Sequence, residues 1–234
     1  WMKLTANGRA GHGSMMNDEN ALTALTEAVA KIGRYEWPQR YTKTVKDLFK
    51  EVARVTGKVY DEKDLRPLLK EIGSTARMIG ATLQNTANPT MLEAGYKANV
   101  IPGTASAVID GRFLPGYEAE LNDTVRAIVG PDILIETVSH DIALEVDFDA
   151  PLVDAMKAAI LAHDPEGIPV PYLMSGGTDN KALSEIGIVG YGFSPLQLPA
   201  DLDFMSLFHG VDERVPIDGL RFGVRVLRDF LESC

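Results

Sequence analysis

The spacing of apolar residues along the chain changes between the period of a helix and that of a strand. Over residues 1–141 it predicts an opening strand, a helix, two long strands, a second helix and a closing strand. This β-α-β-β-α-β order is that of ferredoxin-like α+β folds. The predicted strands cover 1–5, 79–84, 91–100, 106–113 and 133–138, and the second and third of these lie on either side of Asn88-Pro89. The first predicted helix is capped by Asn17 or Asp18 and has Leu22, Leu25, Val29 and Ile32 on its apolar face. The second predicted helix covers 118–129.

Two amphipathic segments interrupt this order. After Thr44, apolar residues at helical spacing predict a helix that Gly57 ends, and a further helix is expected to end at Gly73. We interpret residues from about 38 to 75 as a helical insertion in a first domain that spans 1–141.

The pattern starts again in residues 142–234, where helices alternate with short apolar segments. The segments 170–174 and 188–193 predict buried strands, as in a parallel α/β sheet. Two strands are few for such a sheet. We therefore expect residues 142–234 to be the C-terminal part of an α/β domain whose other strands come from elsewhere. The apolar face of the last helix is predicted to consist of Leu220, Val224, Leu227 and Leu231.

Composition and charge exclude several classes of protein. Lys and Arg number 23 against 33 Asp and Glu, which gives a net charge of -10, and a surface this acidic argues against a nucleic-acid partner. Cys234 is the only cysteine, so no disulfide can form within the chain and a reducing, cytoplasmic location is expected. No apolar run approaches the length that spans a bilayer, so no membrane partner is expected. The chain opens with Trp1 rather than Met, and we expect it to be part of a longer protein.

A histidine and a glycine-rich loop carry the candidate chemistry of the C-terminal part. His209 precedes the last helix, where an imidazole is either a transition-metal ligand or a hydrogen-bonded loop histidine. Gly176, Gly177 and Thr178 open a predicted helix, where backbone N–H groups favour a carboxylate, and a plain tight turn is the alternative. None of the four histidines belongs to an H-x-D, H-E-x-x-H or C-x-x-C pattern, so the residues alone do not show a complete metal site.

Three polar residues in the first domain are candidates for substrate binding. His12 stands between two glycines, where an exposed imidazole either donates to a developing oxyanion or is an ordinary surface histidine. Asn99 and Arg112 are predicted to lie close together across the Pro102-Gly103 turn, where they would bind a carboxylate. The alternative for Arg112 is an ion pair with Asp110 or another neighbouring acid.

Four motifs follow one another over nearly the whole chain. They are GRAGHGS at 8–14, NVIPG at 99–103 with DGR at 110–112, SGGTD at 175–179, and HG at 209–210 with DER at 212–214. Together they make the chain resemble the co-catalytic zinc metallopeptidases and amidohydrolases, a family that includes acetylornithine deacetylase, succinyl-diaminopimelate desuccinylase, aminoacylase and glutamate carboxypeptidase. Each motif is weak alone, and the resemblance depends on their combination and order.

The resemblance implies a role for each candidate residue. The first domain would be the family's ferredoxin-like lid, which forms homodimers. His12 would reach the partner subunit's active site and polarise the scissile carbonyl, while Asn99 and Arg112 would anchor the substrate carboxylate. The remaining implied roles are lining of the substrate pocket by Gly176, Gly177 and Thr178 and metal ligation by His209.

The same resemblance implies what these residues lack. The family's other metal ligands and its general base lie before the lid, so this chain would carry only one ligand of the dinuclear centre. The complete protein is expected to use two zinc ions, with cobalt or manganese as alternatives, to hydrolyse N-acyl amino acids or small peptides. The chain alone is expected to be inactive. The alternative is a non-catalytic dimerising or ligand-binding module derived from this family.

Overall fold

The computed structural model describes residues 1–234. Its strands are β1 (Met2–Asn7), β2 (Gly11–His12), β3 (Thr86–Ala94), β4 (Val100–Ile101), β5 (Thr104–Arg112) and β6 (Ile133–Thr137). Its α-helices are α1 (Ala21–Gly33), α2 (Lys43–Thr56), α3 (Arg66–Leu69), α4 (Ala76–Gly80), α5 (Glu118–Val129), α6 (Pro151–His163), α7 (Asn180–Glu185) and α8 (Ile217–Glu232), and 3₁₀ segments cover Lys70–Thr75 and Phe204–Leu207. No helix combines the length and the apolar character that crossing a membrane requires.

The chain divides into two compact units. Unit 1 comprises residues 1–40 and 84–143, and unit 2 comprises residues 41–83 and 144–234. The division differs from the predicted boundary at residue 141 mainly in the placement of the helical insertion, which belongs by its contacts to the C-terminal part. The reason is one buried cluster: Val170 and Leu173 pack against the group of insertion residues that includes Phe49 and Leu65.

Unit 1 has the ferredoxin-like architecture that the sequence predicts. Its main sheet has the order β3-β5-β1-β6, and all neighbouring strands are antiparallel. Burial alternates along β1 and β5, so one face of the sheet is more deeply buried than the other. Leu4 and Ile109 from this face join Leu25 of α1 and Val125 of α5 in a single core.

One predicted strand of unit 1 is wrong. Residues 79–84 form no strand, because Ile79 lies in α4 and is buried in the helical cluster of the insertion. The strand β3 runs instead through Asn88 and Pro89. Proline is tolerated there because β3 is an edge strand and its pairing with β5 is irregular between Pro89 and Met91.

The helical insertion forms in unit 2, with one helix intact and one broken. The Thr42 hydroxyl caps α2 by accepting from the Val45 N–H, and Gly57 ends this helix with a φ of 68°. The next predicted helix, which the sequence predicts to end at Gly73, is divided into α3 and a 3₁₀ segment. Gly73 lies within that segment with a φ of 58°, which a continuous helix does not allow, and α4 follows it as a further helix that the spacing does not predict.

The two strands predicted over 170–174 and 188–193 do not form. A strand requires a neighbour whose N–H and C=O groups pair with its own, and these segments have no such neighbour within residues 1–234. Some of their apolar side chains remain in solvent, as Tyr172 and Val189 illustrate, while Val170 and Leu173 pack against the helical cluster of the insertion. Apolar composition therefore predicts that a segment can form a strand, but it does not show whether a neighbouring strand is present to pair with it.

The helix α8 buries a different face from the one the sequence predicts. Phe222 and Val226 are buried together with Ala159 of α6, while the predicted face is exposed. The segment after Pro195 explains the difference, since a Cβ on Gly223 would lie 2.5 Å from the Pro195 carbonyl oxygen and a Cβ on Gly219 would lie close to the next stretch of the same segment. This close approach selects the glycine side of the helix. The exposed apolar residues on α8 are Ile217, Leu220, Val224, Leu227 and Leu231.

Matched Val→Ala substitutions on the two faces of α8 test this arrangement. Val226 is 0% exposed and Val224 is 67% exposed. We expect Val226→Ala to lower the free energy of unfolding of the 234-residue chain by about 2 kcal/mol, since it removes buried methyl groups and leaves a cavity. We expect Val224→Ala to change it by less than about 0.5 kcal/mol. Chemical denaturation measures both, and a larger loss for Val224→Ala would contradict the packing described here.

Candidate active site

A small second sheet brings two of the predicted site residues together. The strands β2 and β4 pair antiparallel, with Gly11 opposite Ile101 and His12 opposite Val100. One step further, the Gly13 N–H donates to the Asn99 carbonyl oxygen at 2.8 Å. As a result, the His12 Nε2 atom lies 3.4 Å from the Asn99 Nδ2 atom. Both side chains are exposed, so their polar atoms are accessible to a ligand.

The other nitrogen of the His12 ring faces Ser14. The Ser14 Oγ atom lies 2.9 Å from His12 Nδ1, and the Ser14 backbone N–H donates to the same nitrogen at 3.3 Å. The ring therefore has polar contacts at both of its nitrogens. Ser14 was not among the residues that the sequence singled out, and its contact with the His12 ring follows only from the geometry of the turn.

The turn that carries His12 is anchored by close backbone contacts. The Gly8 N–H donates to the Gly103 carbonyl oxygen at 2.9 Å, and the Arg9 N–H donates to the Glu19 carbonyl oxygen at 2.8 Å. Asn17 joins the two ends of this turn, because its amide donates to the Arg9 carbonyl and its Oδ1 accepts from the Glu19 N–H.

Asn17 is thus not the cap of α1, although the sequence predicts Asn17 or Asp18 as the capping residue. The Asn20 side chain caps this helix instead, by accepting from the N–H groups of Leu22 and Thr23. Asn17 belongs to the anchoring of the site turn, a role that local sequence does not reveal.

Arg112 is not close to Asn99, contrary to the sequence-based expectation. The turn at 102–103 leads into β5, and Arg112 is the last residue of that strand. Because an extended chain rises about 3.3 Å per residue, the length of β5 separates Arg112 from the His12–Asn99 pair by about 25 Å. A small substrate cannot contact both groups within one copy of this chain.

The ion pair that the sequence offered as an alternative for Arg112 is present. The Arg112 Nε and Nη2 atoms lie 2.6 and 2.9 Å from the two carboxylate oxygens of Asp110. This bidentate contact raises the pKa of the Arg112 guanidinium above its usual value, and burial opposes the rise in part. Arginine has five N–H donors, so the guanidinium keeps donors that a ligand carboxylate could use.

His209 and the glycine-rich loop lie in unit 2. His209 is exposed and is the only residue other than glycine with a positive φ, 58°. A positive φ is uncommon for residues other than glycine, although histidine adopts it more readily than most, and such conformations cluster at functional sites. Gly176, Gly177 and Thr178 precede α7, which has six residues. No hydrogen bond joins His209 to this loop.

The residues of the chain do not by themselves complete a metal centre. A protein-bound catalytic zinc has about three protein ligands, and the described chain contains no group of three His, Cys, Asp or Glu side chains that could hold a metal ion. His209 therefore stands as a single candidate ligand within residues 1–234.

The sheet order of unit 1, together with the small sheet that carries His12, defines an α+β domain with a ferredoxin-like arrangement. A family model described as the peptidase dimerisation domain of the M20 family matches residues 1–133. The chain belongs to this family.

Related proteins and structures are hydrolases by their names. The chain is 28% identical over 225 residues to a probable carboxypeptidase S-like 2 of Dictyostelium discoideum, covering 92% of this chain and 43% of the relative. It is 27% identical to human aminoacylase-1, covering 92% and 45%. The fold is similar to that of an M20 family metallo-carboxypeptidase from Sulfolobus solfataricus, with a TM-score of 0.60, 16% identity and coverage of 99% and 57%. The chain spans about half the length of the curated relatives it matches.

Two glycines of the site turn provide a matched test of how tightly this turn is held. A Cβ on Gly8 would lie 2.1 Å from the Glu19 carbonyl oxygen, whereas the nearest atom to a Cβ on Gly11 would be the Asn17 Nδ2 at 4.0 Å. We expect Gly8→Ala to lower the free energy of unfolding by about 2 kcal/mol or more, because backbone on both sides must shift. Gly11→Ala is expected to change it by less than about 0.5 kcal/mol. Equal effects of the two variants in denaturation experiments would show that Gly8 is not tightly enclosed.

Proposed function

We propose that the complete protein containing these residues is a metal-dependent hydrolase of amide or peptide bonds in N-acyl amino acids or small peptides. The relatives named above support the reaction class, and membership of the peptidase dimerisation family supports the lid role of residues 1–133. The single observation that carries the proposal is the exposed pair of His12 and Asn99, whose side-chain nitrogens lie 3.4 Å apart.

His12 and Asn99 are suited to binding one carbonyl oxygen. Two N–H donors separated by this distance can both donate to a single oxygen placed between them. Donors aimed at an oxygen that gains negative charge stabilise the transition state of acyl transfer. We therefore assign His12, assisted by Asn99, the role of polarising the scissile carbonyl.

The metal in this proposal is zinc, with cobalt or manganese as alternatives. His209 is proposed as one protein ligand, and the other ligands and the general base would come from residues outside 1–234. The exposed apolar surface of unit 2 supports a domain completed by further polypeptide. It includes the outward face of α8 defined above and side chains such as Ile186 and Val189. Exposed apolar side chains in this number are more typical of a surface that another polypeptide covers than of a free one.

Arg112 is proposed to bind the substrate carboxylate, and its position argues for a homodimer. Since Arg112 and the His12–Asn99 pair lie at opposite ends of β5, they are proposed to act at different active sites of a symmetric pair of chains. The strand β3 offers an edge for such a pairing, because it has nine residues and its Met91 and Leu92 are 54% and 51% exposed. The other edge strand, β6, has five residues.

The pairing surface is tested by charged substitutions on the two edge strands. We expect the 234-residue chain to be a dimer at micromolar concentration by light scattering and Met91→Lys/Leu92→Lys to be a monomer, because lysines on an edge strand oppose strand pairing. The matched control is Leu134→Lys on β6, where Leu134 is 54% exposed. Dissociation by Leu134→Lys, with the double variant still dimeric, would place the interface elsewhere.

The proposed reaction is tested on the complete gene product with zinc and N-acetyl amino acids as substrates. We expect turnover, and we expect His12→Ala to lower kcat about 100-fold, the usual effect of removing one oxyanion donor. The matched control is His140→Ala. The His140 Nε2 atom lies 2.8 Å from the Glu118 Oε1 atom, and His140 is not part of the site turn, so this variant should leave kcat unchanged.

Two outcomes would contradict the proposal. Absence of hydrolysis by the complete gene product would favour the alternative of a non-catalytic dimerising or ligand-binding module. Zinc-dependent turnover by the purified 234-residue chain alone would show that no ligands or base from outside these residues are required.

A further inference from the structure

We propose that Ser14 is a positioning residue, which holds the His12 imidazole in the neutral tautomer with its proton on Nε2. The tautomer follows from contacts within the turn. Only the use of that proton in catalysis rests on the proposed function.

The contacts at Nδ1 identify this atom as a hydrogen-bond acceptor. The Ser14 backbone N–H points at Nδ1 across 3.3 Å, and a backbone N–H can donate but cannot accept. The Ser14 Oγ atom is nearer, at 2.9 Å, and its hydroxyl can rotate to donate as well. A nitrogen that faces two donors keeps its lone pair, so the ring proton of the neutral imidazole lies on Nε2.

The contact at Nε2 is the competing influence, and it is the weaker one. The Asn99 Nδ2 atom lies 3.4 Å from Nε2, and a proton on Nδ1 would let Nε2 accept from this amide. That tautomer would turn an Nδ1–H toward the Ser14 backbone N–H, which is fixed by the chain and cannot turn away. The Asn99 amide, in contrast, can exchange its oxygen and nitrogen by rotation at little cost in shape. Ser14 therefore decides the tautomer.

The chosen tautomer has a functional consequence. With the proton on Nε2, the His12 ring presents a donor beside the Asn99 amide. When a carbonyl oxygen binds between them, the amide can turn its N–H toward it, so that both groups donate to the same oxygen. The other tautomer would present a lone pair to that oxygen and repel it. Ser14 thus determines whether the pair functions as two donors or as one donor and one acceptor.

Nitrogen NMR of the 234-residue chain tests this inference directly, because the chemical shifts of the two ring nitrogens report the tautomer. The spectra are recorded at about pH 8.5, where an ordinary imidazole is neutral, and His12→Gln assigns the His12 signals. We expect the Nε2–H form in the unmodified chain. We expect Ser14→Ala to raise the ratio of the Nδ1–H to the Nε2–H form about fivefold, the effect of losing one exposed hydrogen bond.

Two variants separate the proposed role from a general loss of structure. Ser14→Thr keeps a hydroxyl and should restore the ratio, and Ser74→Ala, at an exposed serine of unit 2, should leave it unchanged. An Nδ1–H form in the unmodified chain, or an equal ratio in Ser14→Ala, would overturn the inference. The outcome is independent of the hydrolase assay, since a confirmed tautomer with an active His12→Ala enzyme would refute the proposed function alone.

Discussion

The antiparallel register of β1 against β5 is the constraint on which the candidate site depends. Asn7 lies opposite Thr104 at the end of this pairing, and the Thr104 hydroxyl donates to the Asn7 Oδ1 at 3.2 Å. Beyond this point the chain continues into β2 on one side and arrives from β4 on the other, so that His12 and Asn99 meet although 87 positions separate them. A slip of one residue would turn Leu4 and Ile109 toward solvent. Burial of the core therefore selects the same register that assembles the site.

The two units differ in how completely their apolar residues are enclosed. One cluster of fifteen buried residues holds unit 1 together. Unit 2 divides its buried residues between a cluster of eight around the helical insertion and the contact of α6 with α8, which encloses three, Ala159, Phe222 and Val226. A core this small contributes little stability on its own. The apolar residues on the outward side of α8 are therefore left exposed by residues 1–234. Unit 1 is thus enclosed by its own residues more completely than the α6–α8 part of unit 2.

Local periodicity predicted the elements of unit 1 well and their surroundings less well. The helix over 118–129 and the β-α-β-β-α-β order of elements follow from residue spacing, because each element has one apolar side and one partner layer. The spacing around Ile79 and along α8 was equally regular, yet periodicity reports that a segment has an apolar side and not which neighbour covers it. In α8 the deciding contact is that of Gly223 with the Pro195 carbonyl, and glycine adds nothing to an apolar pattern.

The site shows a similar division between what sequence can and cannot supply. His12 and Asn99 were identified by residue type and motif, and the structure places them together. The expectation for Arg112 failed because a turn brings together only the residues directly before and after it. Arg112 stands nine positions after Gly103, at the far end of β5, and Asn99 lies just before the turn. Ser14 and Asn17 act through a few local hydrogen bonds, which leave no periodic trace in a sequence.

The exposure of His12 and the distance of Arg112 have one explanation in common. Hydrogen-bond donors stabilise a developing charge strongly only where water is excluded, and His12 and Asn99 are open to solvent in the single chain. A guanidinium about 25 Å away along β5 cannot help to enclose them. Both features are accounted for if another protein surface covers the pair when substrate binds. If that surface is a second copy of the chain, its Arg112 could approach the pair, because the length of β5 separates the two groups only within one chain. Under the proposed function, the lid would be organised for cooperation between chains, with each copy presenting the His12–Asn99 pair and Arg112 near opposite ends of β5.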